Sequence, residues 1–510
     1  MELYTQDDVE LIKTSIDDIV DDIELKKLEI FEPTRKEIMD INKIVLDYIR
    51  DKKRKIYGGY AQNKLIINKN PKDAFYDDSD IPDIDCYSPE PIKDLVALCD
   101  ELYAKGYKYV MSREAQHKET YSVFVNFKNV CDLSYVPRNI YNKIPFIEID
   151  GINYAHSSFI YIDLYRMMTE PYFSSFRWSK IFPRLHKLQK HYPFNKVTKE
   201  LPNAYDVPKN KEEIIKKINN KIIELIQNQE TIIITGQYAY NIFLEESGIM
   251  KESKNYKLIP TPFMQFISTD YIKDASTIIL ELKKNFDKEG KIKFTEFYPF
   301  WQFTCYSTVI YYEDVPILHI TSHNKRCTPM HKIKLGNNNF IQIGSFDFVL
   351  LMNMIAGLRA KVNDLADKYH FHNIMTSHLV EMRNYYLKKN KKTLLDQTLF
   401  KSFIPECIGY TIDPARETSL SRDKKAKEGK MVVFKYYPDE KREPPDYKFA
   451  NTSGNPIQKT INLKITKYVE NPKLLNELEQ KQTIKEEFED SENNSEEARA
   501  VRRFNDINFI

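Results

Sequence analysis

Three aspartates and a pair of glycines have the residue types and spacing to do chemistry in this sequence. Asp83-Ile84-Asp85 follows Ile81 and precedes Cys86-Tyr87. A strand here puts both carboxylates on one face and Ile84 and Cys86 on the other. Further on, Val130-Cys131-Asp132-Leu133 sets a third carboxylate in a short apolar strand, where an unpaired charge is costly unless a cation sits beside it. Hard oxygen ligands from two or three aspartates, completed by phosphate oxygens and water, suit Mg²⁺ or Mn²⁺ better than zinc, which prefers Cys and His. Two such ions can stabilise both the attacking hydroxyl and the leaving pyrophosphate of an in-line displacement. Upstream, Gly58-Gly59 lies between an apolar strand and a helix that starts near Tyr60. A glycine turn of that kind accepts positive φ and lets backbone N–H groups approach a phosphate. The reaction class implied is nucleotidyl transfer.

Each signal has an ordinary reading beside the chemical one. A Gly-Gly pair between strand and helix is often only a tight turn, and the neighbouring Asp78-Ser79-Asp80, without apolar flanks, reads as a solvated loop. The weight rests on order: Gly-Gly, then a strand-borne D-x-D, then a single Asp on a later strand.

The elements that must position these groups follow from periodicity. Val9, Ile12, Ile16 and Ile19, then Ile30, Ile38, Ile41 and Val45, recur at helical spacing and predict two or three amphipathic helices. From Lys55 the texture becomes short apolar runs bounded by Gly, Pro and Asp. These predict a strand before Gly58, a helix over Ala61 to Ile67, a strand over Ile81 to Tyr87 and a helix over Pro91 to Lys105. Strands are expected near Tyr107 to Met111, Tyr121 to Phe127 and Val130 to Val136. A Lys- and Pro-bearing stretch, Lys196 to Lys211, separates this mixed α/β domain from a second region of similar texture running to about Tyr410.

That second region repeats the first. Tyr57-Gly58-Gly59-Tyr60-Ala61-Gln62-Asn63 reappears as Thr235-Gly236-Gln237-Tyr238-Ala239-Tyr240-Asn241. Ile92-Lys93-Asp94 is matched by Ile272-Lys273-Asp274, and Ser158-Phe159 by Ser345-Phe346, at a slowly drifting offset. The fold class read from this is α+β: two tandem mixed α/β domains over 1–195 and 196–415, with a helical N-terminal segment and a polar C-terminal extension over 416–510. Where Asp83 and Asp85 should recur the chain reads Phe263-Met264-Gln265, and the partner of Asp132 is His319. The second copy has thus lost its ligands and is expected to be a scaffold lining an RNA channel, with His319 a core histidine.

Composition bounds the rest. At 510 residues the chain has room for about two to four domains. With 34 Tyr and 29 Phe against 13 Gly it has ample core material, and collagen-like or globally disordered chains are excluded. The start is acidic and no long apolar run occurs, so neither a signal peptide nor a membrane span is expected. The 76 basic and 74 acidic residues leave a net charge of +2, which neither demands nor excludes a polyanionic partner. Cys86, Cys99, Cys131, Cys305, Cys327 and Cys407 form no C-x-x-C pair and are expected to be reduced and buried. His370, His372 and His378 match no standard zinc spacing and read as a polar helix edge. Lys52-Lys53-Arg54-Lys55, and the cluster of Arg422, Lys424, Lys425, Lys427, Lys430 and Lys435, read as solvated faces. Beside a nucleotidyl-transfer site, Lys424, Lys425, Lys427 and Lys430 would neutralise RNA phosphates, with Phe434, Tyr436 and Tyr437 stacking unpaired bases. Glu486, Glu487, Glu489, Asp490, Glu492, Glu496 and Glu497 form an acidic tail expected to be exposed or flexible.

The series Gly58-Gly59, Asp83-x-Asp85, Asp132 resembles the nucleotidyltransferase superfamily of DNA polymerase β. The fuller Gly-Gly-Tyr-Ala-Gln-Asn string with an altered second copy resembles the poly(A) polymerase catalytic subunits of poxviruses and other large DNA viruses. The resemblance covers about residues 50–410 and implies a template-independent polymerase adding AMP from ATP to mRNA 3′ ends. It implies that Asp83 and Asp85 hold two Mg²⁺ or Mn²⁺ ions, that Asp132 binds the catalytic one and helps activate the RNA 3′-hydroxyl, and that Gly58 and Gly59 lie against the triphosphate. Tyr60 and Asn63 are placed to meet the nucleotide or to pack the turn. One departure is Gly59, where the superfamily often has Ser; another is the long spacing to Asp83, which implies an inserted loop around Lys69 to Asp80. The resemblance also implies a cytoplasmic viral replication site or the virion. Poxvirus relatives act with a separate processivity subunit; the C-terminal extension suggests RNA grip or a homodimer instead. The same residues fit a CCA-adding or oligonucleotide-synthesising enzyme, and a non-enzymatic alternative is an RNA-binding scaffold with both copies inactive.

Overall fold

The computed structural model describes residues 4–31, 33–76, 80–115, 119–323, 327–336, 338–409, 414–430, 433–440, 447–478 and 480. Two compact units divide the chain: Met1–Lys199 with Asn353–Asn384 and Thr411–Ser453, and Glu200–Met352 with Tyr385–Tyr410 and Gly454–Ile510. The first begins with α1 (Gln6–Ile30), α2 (Arg35–Asp51), β1 (Lys55–Tyr57), α3 (Gly58–Lys69), β2 (Ile84–Ser88) and α4 (Pro91–Ala104). There follow β3 (Met111–Glu114), β4 (Thr120–Val125), β5 (Lys128–Tyr135), α5 (Arg138–Lys143), β6 (Phe146–Ile149), β7 (Ile152–Ala155), α6 (Ser157–Met168), α7 (Pro171–Ser174) and α8 (Trp178–His191). The chain continues with α9 (Glu212–Ile226), β8 (Ile232–Thr235), α10 (Gly236–Ser247), β9 (Met264–Ser268), α11 (Tyr271–Phe286), β10 (Ile292–Phe297), β11 (Ser307–Tyr312), β12 (Val315–Ser322), β13 (Thr328–Gly336) and β14 (Asn339–Gly344). The last elements are α12 (Phe346–Val362), α13 (Ala366–Lys389), β15 (Cys407–Ile408), α14 (Pro414–Lys427), β16 (Lys435–Tyr436) and α15 (Thr466–Glu470).

The strand order of the first sheet is β16-β3-β4-β5-β2-β1-β7-β6, and that of the second is β10-β11-β12-β9-β8-β14-β13-β15. Both are mixed sheets in which a parallel pair, β2 with β5 and β9 with β12, carries the strands of interest. The mixed α/β character is as the sequence predicts. Inward residues of the first sheet, including Ile56, Ile84, Cys86, Val123, Cys131 and Leu133, are buried, and α2 covers them with Ile38, Ile41, Val45 and Ile49 at helical spacing. In α1 the same spacing forms the helix, with a capping box at Thr5 and Asp8, but none of its side chains is buried. The strand expected over Tyr107 to Met111 starts only at Met111, because Gly106 and Tyr109 take φ of +90° and +51° and turn the chain.

The repeated Ile-Lys-Asp motif has a structural explanation. Asp94 and Asp274 are buried at the starts of α4 and α11 and accept from Ser88 and Ser268, tying each helix to the end of its strand. Asp94 also receives Arg54 at 2.7 Å and the Tyr48 hydroxyl at 3.0 Å.

Several expectations are corrected. Arg54 and Lys55 are not solvated. Lys55 is buried and donates to the carbonyls of Tyr141 and Ile144 at 2.6 and 2.9 Å, and burial pulls its pKa down to about 8. His372 and His378 are core groups rather than a polar helix edge: His372 shares a hydrogen bond with Asn353, and His378 with the Lys199 carbonyl. Cys327 and Cys407 form a disulfide, because the pairing of β13 with β15 brings them side by side; Cys86, Cys99 and Cys131 are buried free thiols and Cys305 is half-buried. Phe434 and Tyr436 are buried and closed to bases. Phe434 packs edge-on against Tyr121, and Tyr436 pairs β16 with β3 and donates to Asp100 at 2.6 Å. The polar C-terminal stretch is built into structure elsewhere too: Phe449 stacks on Tyr135 at 3.8 Å, and the Glu296 carboxylate accepts from the N–H groups of Lys464, Ile465 and Thr466 at the start of α15. The acidic run Glu486 to Glu497 lies outside the described residues. Among the described residues no helix is long and apolar enough to cross a membrane.

Candidate active site

Pairing of β2 with β5 in parallel sets Asp85 beside Asp132, and pairing of β1 with β2 sets Tyr57 beside Asp85. Asp83 immediately precedes β2 and shares the strand face of Asp85, while Ile84 and Cys86 are buried on the other. One carboxylate oxygen from each of Asp83, Asp85 and Asp132 lies within 4.8 Å of the others. Among the described residues this is the one group of His, Cys, Asp and Glu with such geometry, and no basic side chain there forms an ion pair with it. Asp132 accepts from the Asn129 amide at 3.0 Å. Burial, and then the charges of Asp83, Asp132 and Asp163, pushes the Asp85 carboxyl well above the usual range. A nearby cation would offset that cost, and an all-oxygen donor set of three carboxylates fits a hard divalent ion.

The glycine turn is built against the same cluster. Gly58 has φ of +69°, and a Cβ there would run into the Asp85 carboxylate. At Gly59 the space of a side chain is filled by the Tyr76 hydroxyl, with Arg184 Nη1 3.0 Å from the Cβ position. Both glycines open α3, whose first backbone N–H groups have no intrahelical partners.

Tyr60 packs near Tyr154, with ring centroids 6.4 Å apart, and lines a cavity of about 370 Å³ with Arg35, Lys43, Arg50 and Asp80. Asn63 serves the loop between α3 and β2: its carbonyl oxygen accepts from the backbone N–H of Phe75 at 3.0 Å. Asn241 does the same for Ile259 at 3.1 Å, so this Asn of the repeated motif holds a loop in both sheets' units. Lys424, Lys427 and Lys430 are exposed and Lys425 half-buried, and Lys430 pairs with Glu428. Among the described residues no hydrogen bond or ion pair ties these lysines to the aspartates.

Sequence reasoning missed three neighbours. Asp163 on α6 accepts from the Tyr87 hydroxyl at 2.8 Å, and Tyr87 stacks on Tyr57 at 3.8 Å, which links Asp163 to the strand bearing Asp85. Tyr76 sits in the loop between α3 and β2 and Arg184 on α8. The only trace of these in the sequence is the basic helical spacing of Lys180, Arg184 and Lys187, which by itself reads as a solvated face.

The second sheet repeats the registers without the ligands. Thr235 pairs with Gln265 and Gln265 with His319, as Tyr57 pairs with Asp85 and Asp85 with Asp132. Gly236 has φ of +65° and abuts the Gln265 carboxamide. Phe263, in the place of Asp83, is buried and stacks on Tyr205 at 4.5 Å. His319 is half-buried rather than core, with Nε2 3.5 Å from the Thr321 hydroxyl.

Comparison with known proteins bears on what this geometry belongs to. The family model "Poly(A) polymerase catalytic subunit" matches residues 43–174, and the model "APMV, Putative poly(A) polymerase, catalytic subunit, C-terminal" matches residues 186–467. A protein of Acanthamoeba polyphaga mimivirus named "Putative poly(A) polymerase catalytic subunit" is 37% identical over 488 residues, spanning 89% of this chain and 83% of that protein. The African swine fever virus (strain Badajoz) protein of the same name is 32% identical over 158 residues, 29% of this chain and 32% of that protein. The crystal structure of the Megavirus polyadenylate synthase superimposes with a TM-score of 0.84 at 35% identity, over 91% of this chain and 94% of that one. The aspartate cluster thus lies within the segment matched by the catalytic-subunit model, and the chain belongs to the family of viral poly(A) polymerase catalytic subunits.

Proposed function

We propose that the chain extends mRNA 3′ ends with AMP from ATP at Asp83, Asp85 and Asp132, using two divalent ions, Mg²⁺ or Mn²⁺. The convergence of these three carboxylates within 4.8 Å, beside a glycine that admits no side chain, is the observation that carries the reading. Asp83 and Asp85 would hold both ions, and Asp132 would join them at the ion nearer the 3′-hydroxyl. Bound there, divalent ions supply charge stabilisation for the attacking and leaving oxygens and lower the pKa of the hydroxyl. The residues of the chain bind and orient: Gly58 and Gly59 present the start of α3 to the triphosphate, and Asp132, held by Asn129, faces the incoming hydroxyl. Asn63 acts through the loop it fixes, and Tyr60 lines the adjoining cavity.

The second unit is read as a degenerate copy of the first, a reading supported by its matching strand order and by the registers of Gln265 and His319. The stacking of Phe263, which stands in the place of Asp83, on Tyr205 suits a scaffold. Lys424, Lys425 and Lys427 are read as RNA phosphate contacts, with Lys430 the weakest because it already pairs with Glu428.

Primer extension with each NTP and each metal tests the reading. ATP-selective extension that is abolished by Asp83→Ala or Asp85→Ala, with RNA binding retained, is the expected result. Incorporation of CTP would point to a CCA-adding enzyme. Wild-type protein that binds RNA but incorporates nothing with either metal would point to a scaffold.

A further inference from the structure

Residues 73–76, in the loop between α3 and β2, are fastened to α8. Lys190 and His191 both reach Asp73, at 2.7 and 2.6 Å, and Lys187 donates to the Ala74 carbonyl at 3.0 Å. The Arg184 guanidinium lies over the rings of Phe75 and Tyr76, 4.3 and 5.1 Å from their centroids. From below, Asn63 holds the backbone of the same two residues. Tyr76 is therefore fixed from three sides, and its hydroxyl stands where a side chain at Gly59 would be. No carboxylate among the described residues pairs with Arg184. A hydroxyl donor and a guanidinium thus meet at the first turn of α3, on the side where Asp83 and Asp85 influence the Tyr76 hydroxyl electrostatically.

Gly59 is not in the left-handed region, so a Ser there is conformationally allowed; only the Tyr76 hydroxyl and Arg184 oppose it. We propose that the Tyr76 hydroxyl is the side-chain hydrogen-bond donor to the ATP triphosphate at this turn, that Arg184 is its positioning residue, and that Gly59 lacks a side chain because Tyr76 takes its place. The proposal rests on the nucleotidyl-transfer reading of the aspartate cluster.

A cycle of Tyr76→Phe, Gly59→Ser and the double variant tests it, with affinities for α,β-methylene ATP and for AMP measured by calorimetry in Mg²⁺ and melting temperatures as a folding control. Tyr76→Phe should weaken binding of the ATP analogue by about 10- to 100-fold, the range for a hydrogen bond to a charged group, and leave AMP affinity unchanged. Gly59→Ser should also weaken the analogue, because the two hydroxyls collide. The double variant should bind better than either single, because the Ser hydroxyl then occupies the vacated position. In primer extension Tyr76→Phe should raise KM for ATP more than it lowers kcat, and Arg184→Lys should retain more ATP affinity than Arg184→Met. Additive losses in the double variant, or equal losses for AMP and the analogue, overturn the proposal. Should Gly59→Ser fail to fold, the AMP-against-analogue comparison in Tyr76→Phe decides alone. Failure of the underlying reading shows separately, as wild-type protein that incorporates no AMP or Asp83→Ala protein that still does.

Discussion

Gly58 and Gly236 offer a matched pair of perturbations. Each opens a helix with φ near +65°, at +69° and +65°, and each abuts a polar side chain, Asp85 in one unit and Gln265 in the other. Alanine at either position carries the same backbone penalty of about 1–2 kcal/mol for a left-handed conformation, so melting temperatures should fall by similar amounts. The consequences for chemistry differ. At Gly58 the new methyl must push the Asp85 carboxylate aside by about 1 Å, and misplacement of a reacting geometry on that scale costs on the order of 100-fold in rate. At Gly236 it displaces only a carboxamide that, in the reading above, binds no metal. Single-turnover extension of a primer RNA with ATP, run beside thermal unfolding, separates the two. Gly58→Ala is expected to lose about 100-fold in rate while Gly236→Ala keeps wild-type extension after correction for folded fraction. Equal activities in the two variants would falsify the assignment of Asp85 to the reacting centre.

Burial, and secondarily Lys368, holds the His372 imidazole down to about 3 against 6.5 for an ordinary histidine. The unfolded chain then binds the extra proton over that window, so stability is complete above pH 6.5 and lost as the pH falls towards 3, at no more than about 1.4 kcal/mol per pH unit. Urea unfolding against pH checks this: His372→Gln should flatten the acid limb, and a wild-type curve without one contradicts the assignment. The Cys327–Cys407 bond spans a sequence separation of 80 residues, so its reduction should destabilise the second unit by up to about 4 kcal/mol on the chain-entropy estimate; non-reducing peptide mapping that finds both thiols free would refute it. Replacing Lys424 and Lys427 by Ala should lower RNA affinity and reduce the log–log salt slope by about 0.7 for each phosphate no longer neutralised, with Lys430→Ala showing the smallest effect. An unchanged slope would remove α14 from the RNA path.

Periodicity and order made the strand face shared by Asp83 and Asp85 legible in the sequence. A two-residue repeat fixes which residues share a strand face, so Asp83 and Asp85 could be paired, and Ile84 and Cys86 buried, before any coordinates. Glycine's tolerance of positive φ marked Gly58 for the same local reason. The recurring sequence motifs were legible because Asn63 and Asn241, and Asp94 and Asp274, do the same local work of holding loops and helix starts.

Tertiary structure alone decided the rest. The helical spacing of α1 reports an apolar stripe but not whether anything covers it, and nothing among the described residues does. A run of bases does not say which of them turns inward; Arg54 found Asp94 and Lys55 two carbonyl oxygens only through contacts across the fold. Asp132 joined Asp85 through strand pairing, Tyr76 met Gly59 through a loop clamped by α8, and Cys407 met Cys327 through an edge strand. Local geometry is set by a few adjacent dihedrals and is written in residue type and spacing. Proximity between distant segments is set by which apolar faces bury each other, and that is a property of the whole chain.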